Sequence, residues 1–408
     1  MSADKGNQAL PDSRRFGVDV VVIADALNGQ ERSHLEALNL GRRWGLVSDP
    51  DTHAAFGNEL IRRLSAIAAI EYIALAARPV ADEATVAVIE RAAERCDALI
   101  AVGSGTINDL CKLAAARLQR PYAVFATAPS MNGFVSANAA LYLGGHKCSV
   151  AATTPRAAFF DLRVLANAPP RMIRSGLGDS VCRTTAQADW LLSHYLIGTT
   201  YSPEPFDMLA PFEAELLDGA EGLVHRDLAA MRALVSTLVV SGYGMTLVGT
   251  SEPASQGEHL ISHTVEILHK GGGALHGEQV GVATLTMSEL QHRWLNCSDP
   301  PQAPSTPTVD DIMAFFGPEV GARVAIEYAA KQQALSAARD TGRWAANWGA
   351  AVSHIAHIAL PTARIRAALA NAQCPMSPAE LRWSPDLYTS VVRSARTIRN
   401  RVTFLDLA

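Results

Sequence analysis

Hydrophobic and polar positions change their period about two fifths of the way along the chain. Up to about residue 165, short runs rich in β-branched and small apolar residues, at 18–24, 44–48, 70–75, 98–102, 122–126 and 158–161, read as strands. Stretches at 52–67, 81–95 and 106–117 between them carry apolar residues at helical spacing. Strands separated by amphipathic helices of this length predict βαβ units and a parallel sheet. After Asn167-Ala-Pro-Pro170 the strand pattern stops, and helical periodicity predominates at 172–193, 211–217, 226–247, 258–268 and 280–295, then onward to about 401. Polar, proline- and serine-rich connectors fall at 202–205 and 298–307, and no internal repeat is evident. The expected architecture is an α/β, Rossmann-like nucleotide-binding domain over 1–166, followed by an all-α domain over 167–408 that binds metal and substrate. The active site is expected in the cleft between them.

A chain of 408 residues suits two domains rather than one core. With 49% hydrophobic and 18% charged residues the composition is that of a folded globular protein. A net charge of -5 offers no cationic surface for nucleic acid or anionic lipid. The first 16 residues lack an apolar signal core, and no uninterrupted apolar run reaches the length of a membrane-spanning helix. The six cysteines are widely spaced with no C-x-x-C pair, which fits reduced thiols in the cytoplasm.

Two local patterns suggest chemistry. The segment 98–112 runs from a buried strand through Gly103-Ser104-Gly105 into a helix. Glycines there let the backbone approach an anion, and the helix N-terminus offers free N–H groups, so a pyrophosphate is a natural guest. The third glycine of the dinucleotide fingerprint is missing, and a tight strand-to-helix turn explains the pattern equally well. Thr127, Ser130 and Asn132 follow the next strand and suit either cofactor contact or turn formation. Asp49, at the end of strand 44–48, suits a ribose hydroxyl or a helix cap.

The second pattern is a set of ligand-type side chains. His259 and His263 lie four residues apart on one helix face, and His276 follows the glycine stretch 271–273. Asp179 heads another helical segment. A carboxylate with imidazoles and one open position suits a catalytic Zn²⁺, Fe²⁺, Ni²⁺ or Co²⁺. His53, His194, His269 and His354 are assigned no such role.

Together these segments resemble the iron-containing alcohol dehydrogenase superfamily, which shares its plan with dehydroquinate synthase, and within it the sn-glycerol-1-phosphate dehydrogenases. The resemblance runs from about Trp44 to the C-terminus. It rests on Gly103-Ser-Gly-Thr-Ile-Asn-Asp-Leu-Cys-Lys112, Thr127-Ala-Pro-Ser-Met-Asn-Gly133, Gly178-Asp179 and Ala188-Asp-Trp190. It rests further on Pro253-Ala-Ser-Gln-Gly-Glu-His-Leu-Ile-Ser-His263, His276-Gly-Glu-Gln-Val-Gly281 and the tail Ile398-Arg-Asn-Arg-Val-Thr-Phe-Leu-Asp-Leu-Ala408.

The resemblance implies metal ligation by Asp179, His259 and His276, with His263 and Asp179 catalytic and Asn132, Asp179 and His263 facing substrate. It implies a cofactor, NAD(H) or NADP(H), lined by Gly105, Thr106, Ile107, Asn108, Asp109, Thr127, Ser130 and Ser136, to which the glycine-loop and strand-end readings add Gly103 and, at the ribose, Asp49. One divalent ion is implied, zinc ahead of nickel or iron, in a homo-oligomer acting on a small molecule; the charge and cysteine readings above add a cytoplasmic setting without nucleic-acid or membrane partners. The implied reaction interconverts dihydroxyacetone phosphate and sn-glycerol 1-phosphate. Two departures, Asn132 where the family carries Asp and Glu252 where Arg is expected, favour as the alternative an unphosphorylated polyol or other secondary alcohol. A dehydroquinate synthase-like lyase ranks below both.

Overall fold

Six strands, all mutually parallel, form one sheet: β1 Val20–Ala24, β2 Arg43–Ser48, β3 Ala69–Ala74, β4 Ala98–Gly103, β5 Tyr122–Ala126 and, after a hairpin, β8 Ala157–Asp161. This computed structural model describes residues 9–143, 146–269, 273–300 and 306–407. The sheet order is β1-β8-β5-β4-β2-β3, so the glycine-ended β4 is flanked by β5 and β2. Strands β4, β5 and β8 are buried along their whole length. That is why they read as unbroken apolar runs rather than as alternation, as expected for a sheet covered on both faces. All six sequence-predicted strands occur, with edges moved by no more than two residues.

The sequence reading missed the antiparallel hairpin β6 Asn138–Leu143 and β7 His146–Ala151. The helix expected over 52–67 is composite: Pro50–Thr52, a π turn His53–Gly57, then Asn58–Leu64. Beyond residue 170, the stretch expected at 172–193 is two helices, Pro170–Ser180 and Arg183–Ile197. The one at 211–217 extends to Glu204–Asp218, with Pro211 inside it.

The chain groups into two compact units, and their boundary departs from the single division near residue 166. The first contains Met1–Gly176 and Asp207–Gly249; the second contains Leu177–Phe206 and Thr250–Ala408. The segment 207–249 joins the sheet because its helix, Leu228–Val248, is anchored there. Arg232 donates to the Ile23 carbonyl at 2.9 Å and pairs with Asp25 at 2.7 Å, and Tyr243 stacks on Phe16 with ring centroids 4.3 Å apart. This helix is long and apolar enough to cross a membrane by composition, but 83% of its most apolar window is buried within the protein.

The second unit is helical among its described residues. Its core joins Leu192, Ile261, Met287, Trp348, Val391 and Phe404. Buried polar groups tie the C-terminal tail into that core. Asp189 accepts from the Phe404 N–H at 2.9 Å and from the Gly257 N–H at 2.9 Å, the latter opening the helix Gly257–His269. Lys331, without solvent exposure, donates to the carbonyls of Arg396 and Arg401 and pairs with Asp406 at 2.8 Å. None of the six cysteines is joined in a disulfide.

Candidate functional site

In the first unit, β4 ends at Gly103 and the helix Gly105–Leu118 begins two residues later. A Cβ on Gly103 would lie 2.5 Å from the Ile107 side chain, and one on Gly105 would lie 2.9 Å from Met131. The glycines are therefore required by packing around the turn, while the first-turn N–H groups of the helix remain available to an anion. No acidic residue occupies that first turn.

The residues beyond Thr106 turn inward. Ile107, Asn108 and Asp109 are buried; the Asn108 amide donates to the Gly133 carbonyl at 3.3 Å, and Asp109 accepts from the Ala140 N–H at 3.1 Å. Lys112, one turn further on, is fully buried and donates to the carbonyls of Gly133 at 2.6 Å and Asn138 at 2.8 Å. The Ser136 hydroxyl donates to the same two carbonyls. These side chains fasten the segment 133–140 to the glycine-loop helix. The Thr127 N–H donates to the Gly103 carbonyl at 3.1 Å, joining the ends of β4 and β5. Ser130 and Asn132 are half-buried; the Ser130 carbonyl accepts from Ser175 and the Asn132 amide donates to the Ser241 hydroxyl at 3.3 Å. At the end of β2, one Asp49 oxygen accepts from both the N–H and the hydroxyl of Thr52 at 2.8 Å, so the cap is formed.

The second unit brings the four ligand-type residues together. Asp179 lies on Pro170–Ser180, His259 and His263 on Gly257–His269, and His276 opens the helix His276–Leu295. His259 Nε2 is 3.6 Å and His276 Nε2 is 3.9 Å from Asp179 Oδ1. Ligand atoms of these three lie within 4.8 Å of one another, a spacing able to hold one ion. The His263 ring sits 5.8 Å from that of His259 and 5.7 Å from that of His276. Asp179 and His259 are buried, whereas His263 and His276 are partly exposed, which leaves the cluster accessible on one side.

Backbone contact sets this spacing. A Cβ on Gly178 would lie 2.0 Å from the Gly277 carbonyl oxygen, and one on Gly281 would lie 3.2 Å from the Gly178 Cα. The neighbours of Asp179 and His276 thus touch through main chain alone. Burial presses the His259 imidazole toward neutrality, but the hydrogen bonds and charges of Asp179 and Glu258 outweigh it and hold its pKa up to about 9. One carboxylate with two imidazoles is a donor set for a divalent transition ion.

Sequence reading assigned no role to Lys112 or Glu258, although both fall within the quoted motifs. Their only sequence signals are a charge on a helix face otherwise buried and a glutamate immediately before a candidate ligand.

The profile of the iron-containing alcohol dehydrogenase family matches residues 22–169. The chain is 36% identical over 257 residues to the glycerol-1-phosphate dehydrogenase [NAD(P)+] of Bacillus subtilis (strain 168), covering 61% of this chain and 65% of that protein. With the enzyme of the same name from Thermococcus kodakarensis it shares 31% identity over 275 residues, 66% of this chain and 77% of the relative. The glycerol dehydrogenase structure from Schizosaccharomyces pombe superposes with a TM-score of 0.58 at 16% identity, covering 90% of this chain and 92% of that one, a likeness of fold. The chain belongs to the iron-containing alcohol dehydrogenase family. Within it the relatives just described are glycerol-1-phosphate dehydrogenases, and the match spans a little under two thirds of the Bacillus protein.

Proposed function

We propose that the protein is a metal-dependent NAD(P)-linked dehydrogenase that interconverts dihydroxyacetone phosphate and sn-glycerol 1-phosphate. The observation that carries this reading is the convergence of Asp179, His259 and His276 from three helices within 4.8 Å, in a chain whose relatives bear that activity in name. In this reading the three residues hold one divalent ion, zinc ahead of nickel or iron. Gly103, Gly105 and Thr106 receive the cofactor pyrophosphate on the helix N-terminus. Thr127 and Ser130, at the carboxyl end of β5, take the neighbouring part of the cofactor. Ile107, Asn108, Asp109 and Ser136 line the cofactor with them, and Asp49 stands near the ribose at the end of β2.

When bound, the nicotinamide supplies the hydride and the ion polarises the substrate carbonyl. His263 then supplies the proton to the oxygen in reduction and takes it back in oxidation, with Asn132 orienting the substrate. The Asp179 carboxylate offsets positive charge in the cluster and is thus both ligand and electrostatic partner.

The test is NADH or NADPH oxidation by zinc-loaded protein with dihydroxyacetone phosphate and plain dihydroxyacetone in parallel. Metal-dependent turnover favouring the phosphate is expected; turnover of neither substrate, with NADH still bound, would refute the reaction. A specific observation favours the second reading, an unphosphorylated polyol or secondary alcohol. Glu252 places a carboxylate in the turn Glu252–Ala254, just before the helix bearing His259, and a phosphate dianion near it would be repelled. Preference for the neutral ketone would establish that reading. A lyase of the dehydroquinate synthase kind would instead show no net cofactor turnover. We place the protein in the cytoplasm as a homo-oligomer acting on small molecules, without nucleic-acid or membrane partners; its mass by light scattering tests the assembly.

A further inference from the structure

Glu258 is fully buried beside the metal cluster. One carboxylate oxygen lies 2.9 Å from His259 Nδ1 and also accepts from the Gln256 N–H at 2.7 Å. The other accepts from the Thr185 hydroxyl at 3.0 Å. The carboxylate is therefore held from two directions before it meets the imidazole. Consecutive residues on a helix ordinarily diverge. Here they meet at the first turn of Gly257–His269, whose opening N–H is clamped by Asp189. In the neutral imidazole, a hydrogen on His259 Nδ1 directed at this carboxylate leaves Nε2, the atom facing Asp179, with the lone pair that an ion would take.

His276 has a looser counterpart. Its Nδ1 lies 3.6 Å from Glu266 Oε1 and 3.5 Å from the Ser262 hydroxyl. Glu266 is 6% exposed and comes from the same helix as Glu258.

We propose that Glu258 is a positioning residue for the metal site, fixing the tautomer and ring orientation of His259, and that Glu266 does the same more weakly for His276. The inference rests on the metal-site reading above. Its physical basis is that a carboxylate hydrogen-bonded to the far nitrogen of a ligating histidine fixes the ring and makes the near nitrogen a stronger donor. Two competing groups, Cys182 with Glu258 and His259, and His263 with Glu266 and His276, are also close enough to surround an ion of their own. Both would make the glutamates ligands rather than supports.

The experiment titrates metal-free full-length protein with Zn²⁺ against a chromophoric chelator, reading affinity and stoichiometry, for the native chain, Glu258→Gln, Glu266→Gln and Thr185→Val. Glu258→Gln is expected to lower zinc affinity by about 10- to 100-fold, with Glu266→Gln below it, as for other partners of ligating histidines. The Co²⁺-substituted absorption bands should shift in Glu258→Gln, a readout that a purely structural role would not move. Thr185→Val loosens the carboxylate without touching the histidine and should reduce affinity severalfold. It carries the test should Glu258→Gln not fold, and unchanged affinity in it would then overturn the proposal. Native-like affinity in Glu258→Gln, a larger effect at Glu266 than at Glu258, or two ions bound per native chain also overturns it. If the native chain binds no zinc, nickel or iron, the metal-site reading itself fails, an outcome distinct from a native chain that binds and a Glu258→Gln variant that binds equally well.

Discussion

The Lys112 ammonium donates to the Gly133 carbonyl at 2.6 Å from a position with no solvent exposure. A cation on the glycine-loop helix thus secures the segment that follows β5, reaching the Asn138 carbonyl and Asp109 as well. In the sequence this lysine is one charge among 35 basic residues. In the structure it ties the glycine-loop helix to two carbonyls of the segment after β5.

Replacing Lys112 with Met keeps the aliphatic stem and leaves two buried carbonyls and a buried carboxylate without their cation. Loss of about 3 kcal/mol is expected from such unsatisfied groups, together with weaker NADH binding as the loop loosens. Urea denaturation and a fluorescence titration with NADH measure the two effects. Native values in both would show that the ammonium is dispensable.

Gly178→Ala should separate Asp179 from His276. Its methyl would lie 2.0 Å from a main-chain oxygen, which no rotamer change relieves. Destabilisation of at least about 1–3 kcal/mol, typical of overpacking, is expected, and zinc affinity should fall with it. Calorimetric melting and the chelator competition provide the readings; an unaltered zinc affinity would mean that this close approach does not set the ligand spacing.

Zinc affinity should depend on pH through His259. In the metal-free chain its pKa is raised to about 9, so at neutral pH it carries a proton that the ion must displace. Affinity therefore rises with pH up to about 9 and flattens beyond. The same raised pKa stabilises the metal-free fold fully below the unfolded value of about 6.5, and that contribution is lost as pH climbs toward 9. Opposite pH trends for metal-free stability and zinc affinity are expected between these limits. Zinc titrations and thermal melts across pH 6–10 would reveal them, and parallel trends would exclude His259 as the controlling group.

Asp189→Ala should weaken the tail and the metal helix together. The carboxylate accepts from Gly257, Phe404 and the Gln291 amide; its loss strands the two buried main-chain donors, while Gln291 keeps the Thr185 carbonyl. An unsatisfied buried donor costs about 1–3 kcal/mol, and earlier proteolysis near the C-terminus is expected alongside a lowered melting temperature. Resistance equal to native in limited proteolysis would argue that the tail is held by its apolar contacts alone.

The sequence by itself determined the features whose cause is local. Strands β4, β5 and β8 announce themselves as apolar runs because both faces are covered, and the glycine turn after β4 is visible because only glycine fits beside Ile107 and Met131. His259 and His263 share a helix face by spacing, and the other ligand-type residues were identifiable by type. Tertiary structure decided the rest. The hairpin β6–β7 is short and lacks strong alternation, so its pairing depends on partners outside its own window. The segment 207–249 belongs with the sheet because of Arg232 and Tyr243, whose partners lie some two hundred residues earlier. Asn108 and Asp109 sit in a cofactor-type motif yet spend their hydrogen bonds on the protein itself. The 3.6 and 3.9 Å separations at Asp179 follow from Gly178 meeting Gly277. Periodicity records which face of an element is buried. It does not record which distant backbone lies against that face, and that contact sets the geometry of the site.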